Sequence, residues 1–238
     1  MSELDADRAA EVLTEGALEI HGRIPDSSNA TLLVTARLGA DELLAVYKPE
    51  RGERALWDFP PGLWRREVAA FELDRLLGTG CVPLTVARDD ADYGPGSVQR
   101  WVHEEGVEHY LTLRDDPSLA DWFRALAAFD VVANNTDRKS GHVLLEDARC
   151  WAIDNGLCFH VDDKLRTVIW EFALDPVDPV ILERLGAVAA GDVEVLRGLL
   201  APDEVAATKR RAAALVATGV LPEPESRGHY PPWPWPIV

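Results

Sequence analysis

Cysteine is scarce in this chain. Cys81, Cys150 and Cys158 are odd in number, and none forms a C-x-x-C pair. That excludes a disulfide framework and argues against a structural zinc site. Thiols in or beside apolar runs read as core thiols of a reducing compartment. Long hydrophobic runs are also missing: no stretch approaches the ~20 apolar residues needed to cross a bilayer. The start, Met1-Ser2-Glu3-Leu4-Asp5, lacks the basic and apolar regions of a signal peptide, so a cytoplasmic protein is expected. The pattern G-x-x-x-x-G-K-[ST] is absent, which disfavours a P-loop fold. There are no internal repeats.

Positive charge is the other shortage. Lys and Arg number 24 against 41 Asp and Glu, for a formal charge of −17. Non-specific nucleic-acid binding and docking on an anionic membrane both need clustered positive charge, so neither partner is expected. Residues 89–121 concentrate the acid, with nine carboxylates against Arg100 and Arg114. Such a run reads as a solvated surface or as a docking face for a basic protein. What remains is ordinary for a globular protein: 238 residues, 47% hydrophobic and 27% charged, enough for one large domain or two lobes with real cores.

Residues 7–15 read as a short helix ended by Gly16. Runs 17–24, 30–38 and 42–47 read as strands, with the polar turn Pro25-Asp26-Ser27-Ser28-Asn29 between the first two. Trp57 and Phe59 are expected to anchor the loop of residues 51–62. Residues 63–77 form a helix closed by Gly78, and 82–87 and 97–102 a further strand pair. An amphipathic helix over 118–133 delivers the polar run 134–142. Apolar runs 143–145 and 150–153 then read as a hairpin. If its turn centres near Asp147 and Ala148, His142 and Asp154 emerge at the same open end, with Asp137 just upstream. Carboxylates and an imidazole in one region suit a divalent cation and proton handling. Helices follow at 179–188, 193–200 and 203–218. A Pro- and Trp-rich tail comes last, read as packed on its own domain or as a polyproline segment offered to a partner.

The run N-T-D-R at residues 135–138, followed by D-N-G at 154–156, resembles the catalytic loop and metal motif of the phosphatidylinositol 3-/4-kinase-like superfamily. Type II phosphatidylinositol 4-kinases and HipA-like kinases are similar. Closer still is an actinobacterial family labelled phosphatidylinositol 3-/4-kinase-like. The resemblance implies an α+β, two-lobed atypical protein-kinase-like fold, with a β-rich N-lobe over residues 1–102 and a mainly helical C-lobe over 103–238. It implies ATP with Mg²⁺ or Mn²⁺ as cofactors. Asp137 would be the catalytic Asp and Asp154 the metal-binding Asp, with His142 where these kinases carry a metal-binding Asn. Lys48 would contact the phosphates, braced by Glu67, with Glu72 as competitor. Ser27, Ser28 and Asn29 would cover the phosphates, and Gln99, Trp101 and Val102 would lie against adenine. Lys139 or Arg138 would balance charge on the transferring group; the sequence leaves open which of them points inward.

The reading is therefore a phosphotransferase acting on a cytosolic protein or small alcohol rather than a membrane lipid. His142 in place of Asn keeps open a nucleotide-binding regulator without catalysis. A kinase-like fold that transfers AMP is a third reading, and a module with no nucleotide site a fourth.

Overall fold

Residues 6–49 switch from a helical to a two-residue hydrophobic period at Gly16, and the fold switches with them. In the computed structural model, which describes residues 4–25, 27, 29–104, 106, 108–225 and 231–237, helix α1 (Ala6–Glu15) is followed by strands β1 (Ala17–Arg23), β2 (Leu32–Leu38) and β3 (Asp41–Pro49). Helix α2 (Leu63–Leu77) leads to β4 (Thr85–Arg88) and β5 (Gly96–Arg100). The five strands form one antiparallel sheet in the order β1-β2-β3-β5-β4. Val12 and Leu13 of α1 bury one face of it against Val34, Ala36, Ala45, Tyr47 and Val98. Buried Arg88 fixes the end of α1 by donating to the Leu13 and Gly16 carbonyls at 3.0 and 2.8 Å. Those carbonyls have no partner within the helix, so the guanidinium supplies one.

The second part of the chain holds α3 (Tyr110–Leu113), α4 (Ala120–Ala133), the hairpin of β6 (Val143–Glu146) and β7 (Arg149–Ala152), α5 (Pro179–Ala190) and α6 (Pro202–Thr218). Its core runs through Phe123, Leu126, Phe129 and Val132 of α4 to Leu185 and Leu215. Pro179 and Pro202 occupy first helical positions, and Gly191 and Gly219 end α5 and α6 in the left-handed region. Among the described residues no helix is long and apolar enough to cross a membrane.

The chain divides into two compact units, Met1–Val68 with Pro83–Val102, and Ala69–Val82 with His103–Val238. This corrects the expected division into 1–102 and 103–238. Ala69, Ala70, Leu73, Leu77, Cys81 and Val82 bury themselves in the second unit's core, so 69–82 group with it. Two other expectations change. Residues 193–200 form only a 3₁₀ turn at Glu194–Leu196. Phe59 anchors its loop beneath the Arg66 guanidinium, whereas Trp57 is exposed. The tail packs through Pro232 and Pro234, leaving Trp233 and Trp235 outside.

Candidate active site

In the first unit the site begins with strand alternation. Ala45 and Tyr47 face the α1 core, so Lys48 faces the other side of the sheet. There its Nζ pairs with the carboxylate of Glu67, one turn into α2, and not with Glu72. Glu72 instead takes Arg75, one turn on, at 3.0 Å. Glu67 is buried and Lys48 partly buried. Gln99 lies on the same face as Lys48 by register, opposite Val46, and donates to Thr85 Oγ1 at 2.8 Å. Its amide is therefore used to fasten β5 to β4. The Trp101 N–H returns to the Leu44 carbonyl at 2.9 Å, and the buried Val102 follows as the unit's last residue.

The turn between β1 and β2 is tied inward. Ser27 Oγ donates to the Ile24 and Asn29 carbonyls, both at 2.9 Å, so its single proton shapes its own turn instead of covering a phosphate. Asn29 Oδ1 accepts the Arg54 N–H at 2.9 Å. Ser28 lies outside the described residues. A cavity of about 710 Å³, lined by Phe59, Pro60, Leu63, Tyr93 and Pro95 among others, opens in this unit but includes neither Lys48 nor Glu67.

In the second unit α4 ends at Asn134, whose φ of 52° stops the helix. Its side-chain amide donates to the His160 and Asp162 carbonyls at 3.0 and 2.8 Å. Asn135 Oδ1 then accepts the Asp137 N–H at 2.9 Å, a local turn that fixes the backbone of Asp137. Across the hairpin, Asp147 and Ala148 both take positive φ in a two-residue turn. His142 and Asp154 therefore meet at the open end, with Nε2 of one 3.5 Å from Oδ2 of the other. His142 Nδ1 accepts the Lys139 N–H at 3.4 Å. Lys139 Nζ lies 3.3 Å from Asp137 Oδ2. Burial raises the Asp137 pKa above its ordinary value; Lys139 pulls it back and the Asp154 charge pushes it up further. The two carboxylates thus share one electrostatic neighbourhood.

Arg138 corrects an expectation. It is fully buried and does not face a transferring group. Its guanidinium pairs with the equally buried Asp130 at 2.9 Å, and donates to the Ile153 carbonyl at 2.9 Å and to Asn155 Oδ1 at 2.6 Å. Asp130 also accepts from Asn135 at 3.2 Å. One buried ion pair therefore ties α4, the loop carrying Asp137 and the end of β7 that carries Asp154. Asp130 and Asn155 were missed from the sequence. The available signal was a single Asp inside the apolar run Phe129 to Ala133.

Among the described residues no three His, Cys, Asp or Glu side chains converge as a metal-binding group. The donor chemistry still fits a hard cation. Asp154 is half exposed, and Mg²⁺ is commonly held by one or two carboxylates together with phosphate and water.

No family model matches the chain. Over 90% of its length it superposes on 89% of the structure of hydra Fam20 with sugar, at a TM-score of 0.58 and 14% identity. Over 88% it superposes on 94% of the Helicobacter pylori proinflammatory kinase CtkA, at a TM-score of 0.50 and 11% identity. These likenesses show a kinase-like fold. In sequence the chain is 38% identical to Protein Rv2133c of Mycobacterium tuberculosis over 263 aligned positions, covering 94% of each. The chain belongs to the family of Protein Rv2133c.

Proposed function

We propose that this protein is an ATP- and divalent-metal-dependent phosphotransferase that acts on an alcohol group in the cytoplasm. The observation that carries the proposal is the ion pair between Lys48 on β3 and Glu67 on α2. A strand lysine braced by a helix glutamate is the device by which protein kinases hold nucleotide phosphates. The N-T-D-R and D-N-G motifs support the phosphatidylinositol 3-/4-kinase-like branch of such enzymes.

In this reading Lys48 binds the phosphates, and the backbone at Trp101 and Val102 borders the adenine. Bound metal–ATP supplies the phosphoryl group and masks its charge. Asp154 carries Mg²⁺ or Mn²⁺. His142 holds Asp154 in place: with Nδ1 accepting the Lys139 N–H, the neutral ring carries its proton on Nε2, facing the carboxylate. His142 is then a positioning residue rather than the metal ligand expected from sequence. Asp137 takes the proton of the acceptor hydroxyl as the hydroxyl oxygen bonds to phosphorus and the bond to departing ADP breaks. Lys139 balances charge beside it. A charge of −17 favours a basic protein acceptor over an anionic lipid.

The test is transfer from ATP labelled on the γ- or the α-phosphate, with Mg²⁺, to protein and small-alcohol acceptors. The proposal expects γ-label in an acceptor, lost in Asp137→Asn. Transfer of α-label would mean adenylyl transfer. ATP binding with transfer of neither label would mean a regulator without catalysis.

A further inference from the structure

The C-terminal segment lies along the loop that carries Asp137. The Pro232 carbonyl accepts the Thr167 N–H and the Trp170 Nε1–H, both at 3.1 Å. At its other end the Ile237 carbonyl accepts the Ser140 N–H at 2.8 Å. Thr167 is bridged in parallel to Arg138, and Ser140 follows Asp137 by three residues. The segment therefore docks on the part of the loop that follows Asp137.

What holds it is informative. Pro232 and Pro234 are buried, yet Trp233 is 44% and Trp235 86% exposed. A segment retained for its own packing would bury its indoles, the largest apolar surfaces it has. This one bends at Pro232-Trp233 and again at Trp235-Pro236, and is held by two main-chain carbonyls and two buried proline rings. Residues 231–237, P-P-W-P-W-P-I, also contain no hydroxyl. The segment occupies the loop that follows Asp137 without offering a phosphate acceptor.

We infer that Ser140, Thr167 and Trp170 form a binding site for a polypeptide segment, that the C-terminal segment occupies this site in cis, and that the phosphate acceptor is a polypeptide that displaces it. The inference rests on the phosphotransferase reading and narrows its acceptor from any alcohol to a protein side chain. Backbone N–H donors pair with the carbonyls of any sequence, and a chain held by them would sit on the loop that carries Asp137.

The test uses the full chain carrying Pro232→Gly and Pro234→Gly, with a fluorescent synthetic peptide P-P-W-P-W-P-I-V as probe. The variant should bind the peptide at least about tenfold more tightly than the parent, whose own segment competes. Its Ser140 and Thr167 amides should exchange hydrogen at least about tenfold faster, while those of Arg138 and Val168, bonded within the second unit, stay protected. Equal peptide binding by both chains, or binding by neither, overturns the inference. So does an unchanged Ser140 amide, which would mean that the prolines do not hold the segment. ATP titration of the same samples separates the two readings. Loss of ATP binding with peptide binding retained would count against the phosphotransferase and leave the peptide site standing.

Discussion

Adjacent residues of the loop do opposite work. Asp137 and Lys139 are partly exposed, whereas Arg138 between them is sealed against Asp130. Removing one partner of a buried ion pair costs about 3–5 kcal/mol, because the other charge stays buried. Arg138→Ala should therefore lower unfolding stability by about 3 kcal/mol or more in urea denaturation. Asp137→Asn should change stability by less than about 1 kcal/mol yet reduce phosphoryl transfer by about 10²–10⁴. Similar stability losses in both would contradict this division. His142 supplies a second contrast. As the holder of Asp154, its change to Ala should weaken Mg²⁺ affinity about 10-fold or more without altering the Mg²⁺ to Mn²⁺ preference. A selective loss of Mn²⁺ binding, read by calorimetry, would make it a ligand after all.

At the scale of elements, β3 and α2 carry the nucleotide end of the account. Lys48→Met should abolish ATP binding and cost about 3 kcal/mol of stability, since Glu67 remains buried. Full stability with ATP affinity intact would remove the pair from the mechanism. The far end of α2 has its own signature. Asp74 accepts the Cys81 N–H at 2.8 Å and the Thr79 hydroxyl, and burial raises its pKa above the ordinary 3.8. A carboxyl whose folded pKa is raised holds its proton more tightly when folded. It costs nothing below 3.8, and the cost grows as pH rises through the raised value. Asp74→Asn should thus gain on the parent as pH climbs from about 4 to about 7, measured by denaturation across that range. A pH-independent difference would show that the carboxyl titrates normally. Local periodicity made these elements legible from sequence. Residues 63–77 and the 143–152 hairpin follow from spacing and turn residues alone. The burial of Arg138 did not follow, because its partners lie on two other segments, Asp130 on α4 and Ile153 and Asn155 on the stretch after β7.

Over the whole molecule, the kinase-like fold was legible through the resemblance of two short motifs and one strand lysine. The assignment of 69–82 to the second unit was not, nor were the partners of the tail, whose packing on its own domain was one of the two expected readings. Both depend on contacts between distant segments, such as Ser140 with Ile237, which leave no periodic trace. The charge of −17 adds a constraint on partners. Phosphorylation of a basic peptide should slow as salt rises from about 50 to about 300 mM, because screening removes the attraction. The central claim, that Lys48 with Glu67 and Asp137 with Asp154 serve one nucleotide reaction, is tested most directly by calorimetric titration of ATP into metal-stripped protein, with and without Mg²⁺. The account predicts Mg²⁺-dependent binding that is lost in Lys48→Met and Asp154→Ala and kept in Asp137→Asn. No ATP binding by well-folded protein under either condition would contradict it.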